Sequence, residues 1–500
     1  MKTNSLDFDA QALREKILDL AMRGKLIKQD PNDESASVLL EKIKAEKAKL
    51  VKEGKIKKNK PLPEITDDEK PFDIPDSWEW VRLGEVFDVT SSKRVMKKEW
   101  QNEGIPFYRA REIVSIKNNR PLKDPIFLNE STYNEKIKVS GVPKVNDILL
   151  TGVGTLGIPY IVKDNKKFYF KDGNIIWLKN ISDINSQYLS YYIQSPYMVK
   201  EINNGRGTTV ATLTIIRAKD LMIPLPPLPE QSRIAAKIAQ LFALLRKVES
   251  STQQYAKLQT LLKSKVLDLA MRGKLIKQDP NDEPASVLLE KIKAEKAELV
   301  KEKKIKKSKP LPEITDDEKP FDIPDSWEWG RLGDICLSNI GLTYKPSQKS
   351  EKPTKTIILR ANNVEANELN KENVIFLDID NLKEKYYLKE NDILMAVRSG
   401  SKRLVGKSAV VTPQFVGFSF GAFMSKIRIL SANSWYVDYF LNSAAFRSQL
   451  GDANTTTINQ ITQGMINNFV LPLPPLSEQN RIAAKIAQLF ALLRKDESSN

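Results

Sequence analysis

Residues 230–273, EQSRIAAKIAQLFALLRKVESSTQQYAKLQTLLKSKVLDLAMRG, set the architecture of this chain. They follow a stop made by Pro224, Pro226, Pro227 and Pro229, and they place Ile234, Leu241, Val248, Tyr255, Leu262 and Leu269 at every seventh position. Ile238, Leu245 and Val266 form a second row on the same face. A seven-residue apolar repeat with no internal Gly or Pro predicts a helix that buries one seam against another helix. At ~1.5 Å per residue it spans about 65 Å, with Gly273 as its C-terminal cap.

The sequence also names the partner of that helix. Glu230 to Lys247 recurs as Glu478 to Lys495, and Leu267 to Gly273 recurs as Leu18 to Gly24. The front of the central helix is therefore copied at the C-terminus and its back at the N-terminus. Docked beside the central helix, the two end segments rebuild a broken antiparallel copy of it, through Leu13, Ile17 and Leu20 and through Ile482, Ile486, Leu489 and Leu493. A stacked solenoid fits less well, because only two copies exist.

Composition excludes several kinds of chemistry. There is no histidine and a single cysteine, Cys336, so Ser-His, Cys-His and HExxH mechanisms, a disulfide framework and a cysteine-rich zinc site are all ruled out. The net charge of +16 favours a polyanionic partner, the duplex phosphate backbone above all. No apolar run reaches membrane-spanning length and the N-terminus has no signal-peptide pattern, so a soluble, cytoplasmic protein without a membrane partner is expected.

Ser35 to Glu53 reads as a helix with Val38, Leu39, Ile43 and Leu50 on its apolar face, followed by a lysine-rich tract from Lys55 to Lys60 and a proline-punctuated connector from Pro61 to Pro75. The lysines suit a solvated surface as well as a DNA or subunit contact. This whole block, Leu18 to Trp80, returns at an offset of 249 and differs only at Ser35/Pro284, Lys49/Glu298, Gly54/Lys303 and Asn59/Ser308. Between the copies lie two segments of similar length and order whose residues barely agree. Two nearly identical surfaces suit two copies of one partner, whereas two divergent domains in equivalent places suit two different targets.

Each divergent segment carries the same skeleton. Pro106 to Ile113 and Thr356 to Val364 read as strands, Asn146 to Thr151 and Asn391 to Ala396 as turns into buried strands, and Gln187 to Ile193 and Trp435 to Leu441 as closing helices. The fold class is α+β: two globular domains separated by long antiparallel helices, a coiled-coil spacer, in a circular pseudo-twofold arrangement. The expected divisions are 1–76, 77–227, 228–325 with the spacer helix at 230–273, 326–475, and 476–500.

Two motifs look like nucleotide sites. Gly152 to Gly157 matches GxGxxG, but Ile158 to Val162 behind it reads as a strand where a dinucleotide site needs a helix. Gly400 to Ser408, GSKRLVGKS, resembles a phosphate-binding loop with one residue too many between its glycines. An amino-methyltransferase tetrad and a carboxylate-lysine nuclease cluster are both missing. The chain is expected to do no chemistry itself, with no catalytic residue, cofactor or metal of its own.

The assembled pattern resembles the specificity subunit of type I restriction-modification systems over essentially the whole chain. Leu225 to Gln231 with Arg233-Ile234, repeated as Leu473 to Gln479 with Arg481-Ile482, carries the resemblance, as do DILLTGVGTLG, DILMAVRSGSKRLVGKSA and Ile74 to Trp80. One departure is Thr151 to Gly154, which stands where relatives often place an arginine. The resemblance implies a non-catalytic reader of double-stranded DNA with two target-recognition domains. It implies helices that bind two methyltransferase subunits, restriction and translocase subunits that join that assembly, and S-adenosylmethionine, ATP and Mg held by those partners. A stiff spacer would then fix two unlike half-sites at one separation along the duplex.

The expected DNA contacts are polar and basic loop residues. In the first domain they are Lys93, Arg94, Lys97, Lys98, Arg109, Arg111, Thr155, Arg206, Thr208 and Thr209. In the second they are Lys345, Lys349, Arg360, Asn362, Asn363, Arg398, Ser399, Lys402, Arg403, Thr456 and Thr457. Arginine can read guanine and asparagine adenine, whereas lysine and threonine more often hold phosphates. Two other readings compete. A methyltransferase or nuclease with fused target domains would need a catalytic domain that does not fit between the repeats. A non-specific nucleic-acid scaffold built on a coiled coil would bind unrelated duplexes equally, and gives no reason for near-identical repeats around unlike domains.

Overall fold

The computed structural model describes residues 9–58, 60–204, 212–365, 367–379, 382–400, 404–450 and 459–498. It divides into two units, Asp7–Ser251 and a second one that holds Thr252–Asn500. A helix runs from Leu228 to Met271, with its front in the first unit and its back in the second.

In the first unit the N-terminal helix Ala10–Met22 lies antiparallel to the front of the central helix. Arg14 reaches Glu249 at 2.5 Å, while further along the chain Gln29 donates to Glu230 and Arg233 pairs with Asp33. In the second unit the C-terminal helix Leu476–Ser498 meets the back of the central helix in the same sense. Gln259 donates to the Leu493 carbonyl at 3.0 Å, Gln278 to Glu478 at 2.7 Å, and Arg481 pairs with Asp282. Head and tail each dock on the middle helix, as the circular repeat predicts.

Burial along the seam is uneven. Ile234, Ile238, Ile482 and Ile486 are fully buried, and Ile17, Leu20, Leu241, Leu245, Val266, Leu269, Leu489 and Leu493 are half-buried. Leu13, Val248, Tyr255 and Leu262 are exposed, so the expected continuous seam does not close over the middle of the central helix. One antiparallel neighbour covers only a narrow strip, and complete burial occurs where a globular domain also packs against the helix.

The motif that carries the family resemblance is the fastening of each unit. Glu230, 1% exposed, sits in the first turn of the central helix, where the helix dipole favours a carboxylate, and accepts from the Trp78 indole at 3.0 Å and from Gln29 at 3.0 Å. Gln231 donates to the Pro226 carbonyl and accepts from the Asn185 amide. The second unit repeats the set with Glu478, Trp327, Gln278, Gln479, Pro474 and Asn433. Tyr188 and Tyr436, on the closing helices Ser186–Ile193 and Ser434–Leu441, donate to the Pro224 and Pro472 carbonyls. Gly24 and Gly273 take φ of 65°, and a side chain there would strike Pro75 or Pro324 at 2.3 or 2.4 Å.

Each domain opens with a short antiparallel ribbon, Glu79–Arg82 with Met222–Leu225 and Glu328–Arg331 with Val470–Leu473. Four-stranded sheets follow, ordered 87–90, 175–180, 148–151, 159–161 in the first unit and 336–340, 424–429, 393–396, 408–410 in the second. The inner strands Ile148–Thr151 and Ile393–Ala396 are buried throughout, and each is entered through an asparagine in the left-handed region, Asn146 or Asn391. The expected first strand through Ile113 is shorter than predicted: Ile105–Tyr108 is extended, and Ala110–Lys117 is helical. Glu112 turns the chain there by accepting from the Arg109 amide. In the second unit Ala361–Asn363 is likewise a tight helical turn.

Glu230→Ala removes the acceptor of a buried indole and is expected to lower the stability of the first unit by about 1–3 kcal/mol in denaturant unfolding. Glu478→Ala should do the same to the second. An unchanged unfolding midpoint in both variants would show that these carboxylates do not fasten the units.

Candidate nucleic-acid interface

In the first unit the loop after Phe87–Thr90 is bolted to the sheet. Ser91 donates to the Ile175 carbonyl, Ser92 to the Phe170 carbonyl, and the Lys93 amide to the Tyr169 hydroxyl at 2.8 Å. This fixed backbone leaves Lys93, Arg94, Lys97 and Lys98 exposed. Exposed cations on a hydrogen-bonded loop suit phosphate contacts.

Arg109 and Arg111 are engaged inside the domain. Both donate to the buried Glu112 carboxylate at 2.6 Å, and Arg111 also donates to the Lys123 and Asp124 carbonyls. Burial works to raise the Glu112 pKa, but these hydrogen bonds outweigh it and hold the carboxyl below its ordinary value. Thr155 is exposed in the turn between Ile148–Thr151 and Pro159–Ile161. The GxGxxG match is that strand-to-strand turn, with Gly154 and Gly157 at φ of 72° and 71°.

In the second unit Lys345, Lys349 and Asn362 are exposed, and Arg360, Arg398 and Ser399 are half-buried. Asn363 is fully buried, which corrects its expected role at a base. Its side chain accepts from the Arg360 amide and donates to the Glu372 carbonyl at 2.7 Å, so it holds a turn. Arg360 itself donates to the Asn373 carbonyl. Arg398 lies with its guanidinium carbon 5.3 Å from the centre of the exposed Phe423 ring. Phe423 gave no signal in the sequence, because one surface phenylalanine has no spacing to betray it. Arg206, Thr208, Thr209, Lys402, Arg403, Thr456 and Thr457 lie outside the described residues.

Of the second nucleotide look-alike, residues 401–403 lie outside the described residues. It joins the antiparallel strands Ile393–Ala396 and Ser408–Val410, and Ser408 is buried, donating to Asp438 at 2.6 Å. Enclosed there, the hydroxyl also accepts from the Asn442 side-chain amide at 3.0 Å, so it ties the closing helix to the sheet.

Two DNA specificity domains of type I restriction modification match the chain at residues 75–259 and 324–499. The chain belongs to the type I restriction-modification specificity subunits. This specificity subunit is 33% identical to the type I restriction enzyme EcoAI specificity subunit of Escherichia coli, with 98% of this chain and 90% of the relative covered. It is 31% identical to the EcoEI specificity subunit of the same organism, with 97% and 89% covered. Its fold is similar to that of a chain solved in work on complex assembly and conformational transition of the type I R-M system. There the TM-score is 0.55 at 20% identity, over 86% of this subunit and 94% of that chain. No helix among the described residues of the subunit is long and apolar enough to cross a membrane.

Burial pushes the Asp438 carboxyl from its ordinary 3.8 up to about 7, against the hydrogen bond from Ser408, and its Oδ2 has no partner among the described residues. Below the lower value both folded and unfolded chains hold the proton. Between the two values only the unfolded chain releases it, so stability falls as pH rises through that window. Asp438→Asn should flatten this decline and leave the variant more stable than the parent at about pH 8, by on the order of a few kcal/mol. Denaturant midpoints measured across pH check this, and parallel curves for parent and variant would contradict it.

Proposed function

We propose that this specificity subunit reads an asymmetric, two-part sequence in duplex DNA, one half with the domain of each unit, and does no chemistry itself. The observation that carries this reading is the contrast between seat and occupant. Trp78, Glu230, Gln29 and Gln231 recur as Trp327, Glu478, Gln278 and Gln479 with the same partners, yet the loops mounted on these seats share few side chains. Identical fastenings with unlike loops suit a protein whose mounting is constant and whose reading is not.

In this account Lys93, Arg94, Lys97, Lys98, Lys345 and Lys349 hold phosphates, a term that weakens with added salt and sets register without reading sequence. Base edges are read by the arginine, asparagine and threonine side chains near them. The duplicated helices scaffold two methyltransferase subunits, and restriction and translocase subunits join that assembly. S-adenosylmethionine, ATP and Mg belong to those partners, which modify adenines and cleave DNA. The central helix serves as the spacer between the two readings, and the assembly works in the cytoplasm.

Modified-base sequencing of a host carrying this chain and its methyltransferase subunit tests the reading. The expected outcome is modified adenines in a motif of two unlike blocks around an unread gap. A contiguous or palindromic motif, or modification that does not depend on this chain, would contradict it.

A further inference from the structure

The two domains put different side chains at one equivalent point of the sheet. In the first unit Gly152 follows the inner strand, donates to the Asn174 carbonyl at 2.8 Å and accepts from the Leu213 amide at 2.9 Å. In the second unit Val397 occupies that place, donating to the Phe423 carbonyl at 2.9 Å and accepting from the Ile461 amide at 2.8 Å. The inner strands pair with their neighbours in one register, Ile148 opposite Leu178 and Ile393 opposite Ile427. Val153 therefore stands where Arg398 stands, and Asn174 where Phe423 stands.

The backbone beneath Arg398 and Phe423 is clamped. Gly421 donates to the Leu359 carbonyl, Ala422 to the Leu342 carbonyl, Met424 closes the turn onto Gly421, and Phe423 accepts from both Val397 and Arg398. Arg398 also pairs with Gln460 in a short antiparallel ribbon. On this fixed frame Phe423 is 54% exposed and Arg398 lies against its ring. An exposed phenylalanine is ordinary by itself; here it also gives a guanidinium a face to lie on.

Among the described residues the Arg398 side chain meets no hydrogen-bond acceptor. Arg398 makes no ion pair among the described residues, and its Nε is enclosed without a partner. Arg109, by contrast, is committed to Glu112, and Arg360, whose Nε is likewise enclosed without a partner, donates through Nη2 to a backbone carbonyl. A planar fork held in orientation by a ring and free of internal acceptors matches the two acceptors on the major-groove edge of guanine.

We propose that Arg398 reads a guanine in the half-site of the second domain, with Phe423 as the positioning residue that holds its plane, and that Val153 with Asn174 makes the first half-site differ at the corresponding base. This rests on the DNA-reading function proposed above. Arg398→Lys keeps the charge and loses the fork, and Phe423→Ala keeps the fork and loses its support.

Both variants are to be expressed with the methyltransferase subunit and their modified motifs sequenced. Each should relax one guanine position of one half-site by roughly ten- to hundred-fold and leave the other half unchanged. Phe423→Tyr should restore the requirement, and the salt dependence of binding should match the parent, which a merely structural role for the ring does not explain. An unchanged motif in both variants would overturn the guanine assignment while leaving the family function intact, and equal loss at every position would overturn it as a phosphate or folding effect. If the unaltered chain directs no modification, the reading on which the assignment rests fails first.

Discussion

One buried carboxylate in each half of the molecule holds the rest in place. Glu230 and Glu478 lie in the first turns of their helices, where backbone amides favour negative charge, and each is closed off from water by a tryptophan indole and a glutamine amide. A charged acceptor strengthens such a bond to about 1.5–3 kcal/mol, and leaving a donor bare in the same place would cost as much. The tryptophan starts the globular domain and the glutamate starts the helix, so this bond joins reader to scaffold. The glutamines next in sequence, Gln231 and Gln479, tie the closing helix of each domain to the same point.

This constraint separates what must stay from what can vary. The proline stop, the Glu-Gln pair and the arginines that reach Asp33 and Asp282 have partners fixed by geometry, and each recurs in both halves. The loops above the sheets are fixed through bonds of their own, such as Ser91 to the Ile175 carbonyl, and their exposed side chains differ between the halves. There the first unit has Val153 and Asn174 where the second has Arg398 and Phe423, on backbones with matching hydrogen bonds. A fold built in this way can change its reading without changing its assembly, as a subunit whose task is specificity requires.

Much of this was legible in the chain. The central helix, the antiparallel head and tail, the turns at Asn146 and Asn391 and the closing helices followed from periodicity and repetition, because these features repeat and helical or strand spacing marks them. Other parts were hidden for identifiable reasons. The strand expected to continue to Ile113 turns into a helix because Glu112 folds back on the Arg109 amide, a bond that apolar spacing does not register. Asn363 looked like a base reader because asparagine is polar, but its amide serves the Arg360 and Glu372 backbone. Leu262 and Leu13 keep the seam's spacing yet remain exposed, since spacing gives a direction on a helix and not the width of what covers it. The pairing of Trp78 with Glu230 was present in the repeat, where both residues recur together, but only the fold shows that they touch.

The central claim is that the two seats are equivalent and that their occupants alone set the reading. Its most direct measurement replaces residues 330–471 with a second copy of residues 81–223, two segments bounded by the matched pairs Gly330 opposite Leu471 and Val81 opposite Ile223, and sequences the modified bases in a host carrying that chain and its methyltransferase subunit. The expected motif has two halves that carry the same bases, those of the first half-site. A folded chain that still directs modification at the original second half-site would contradict it.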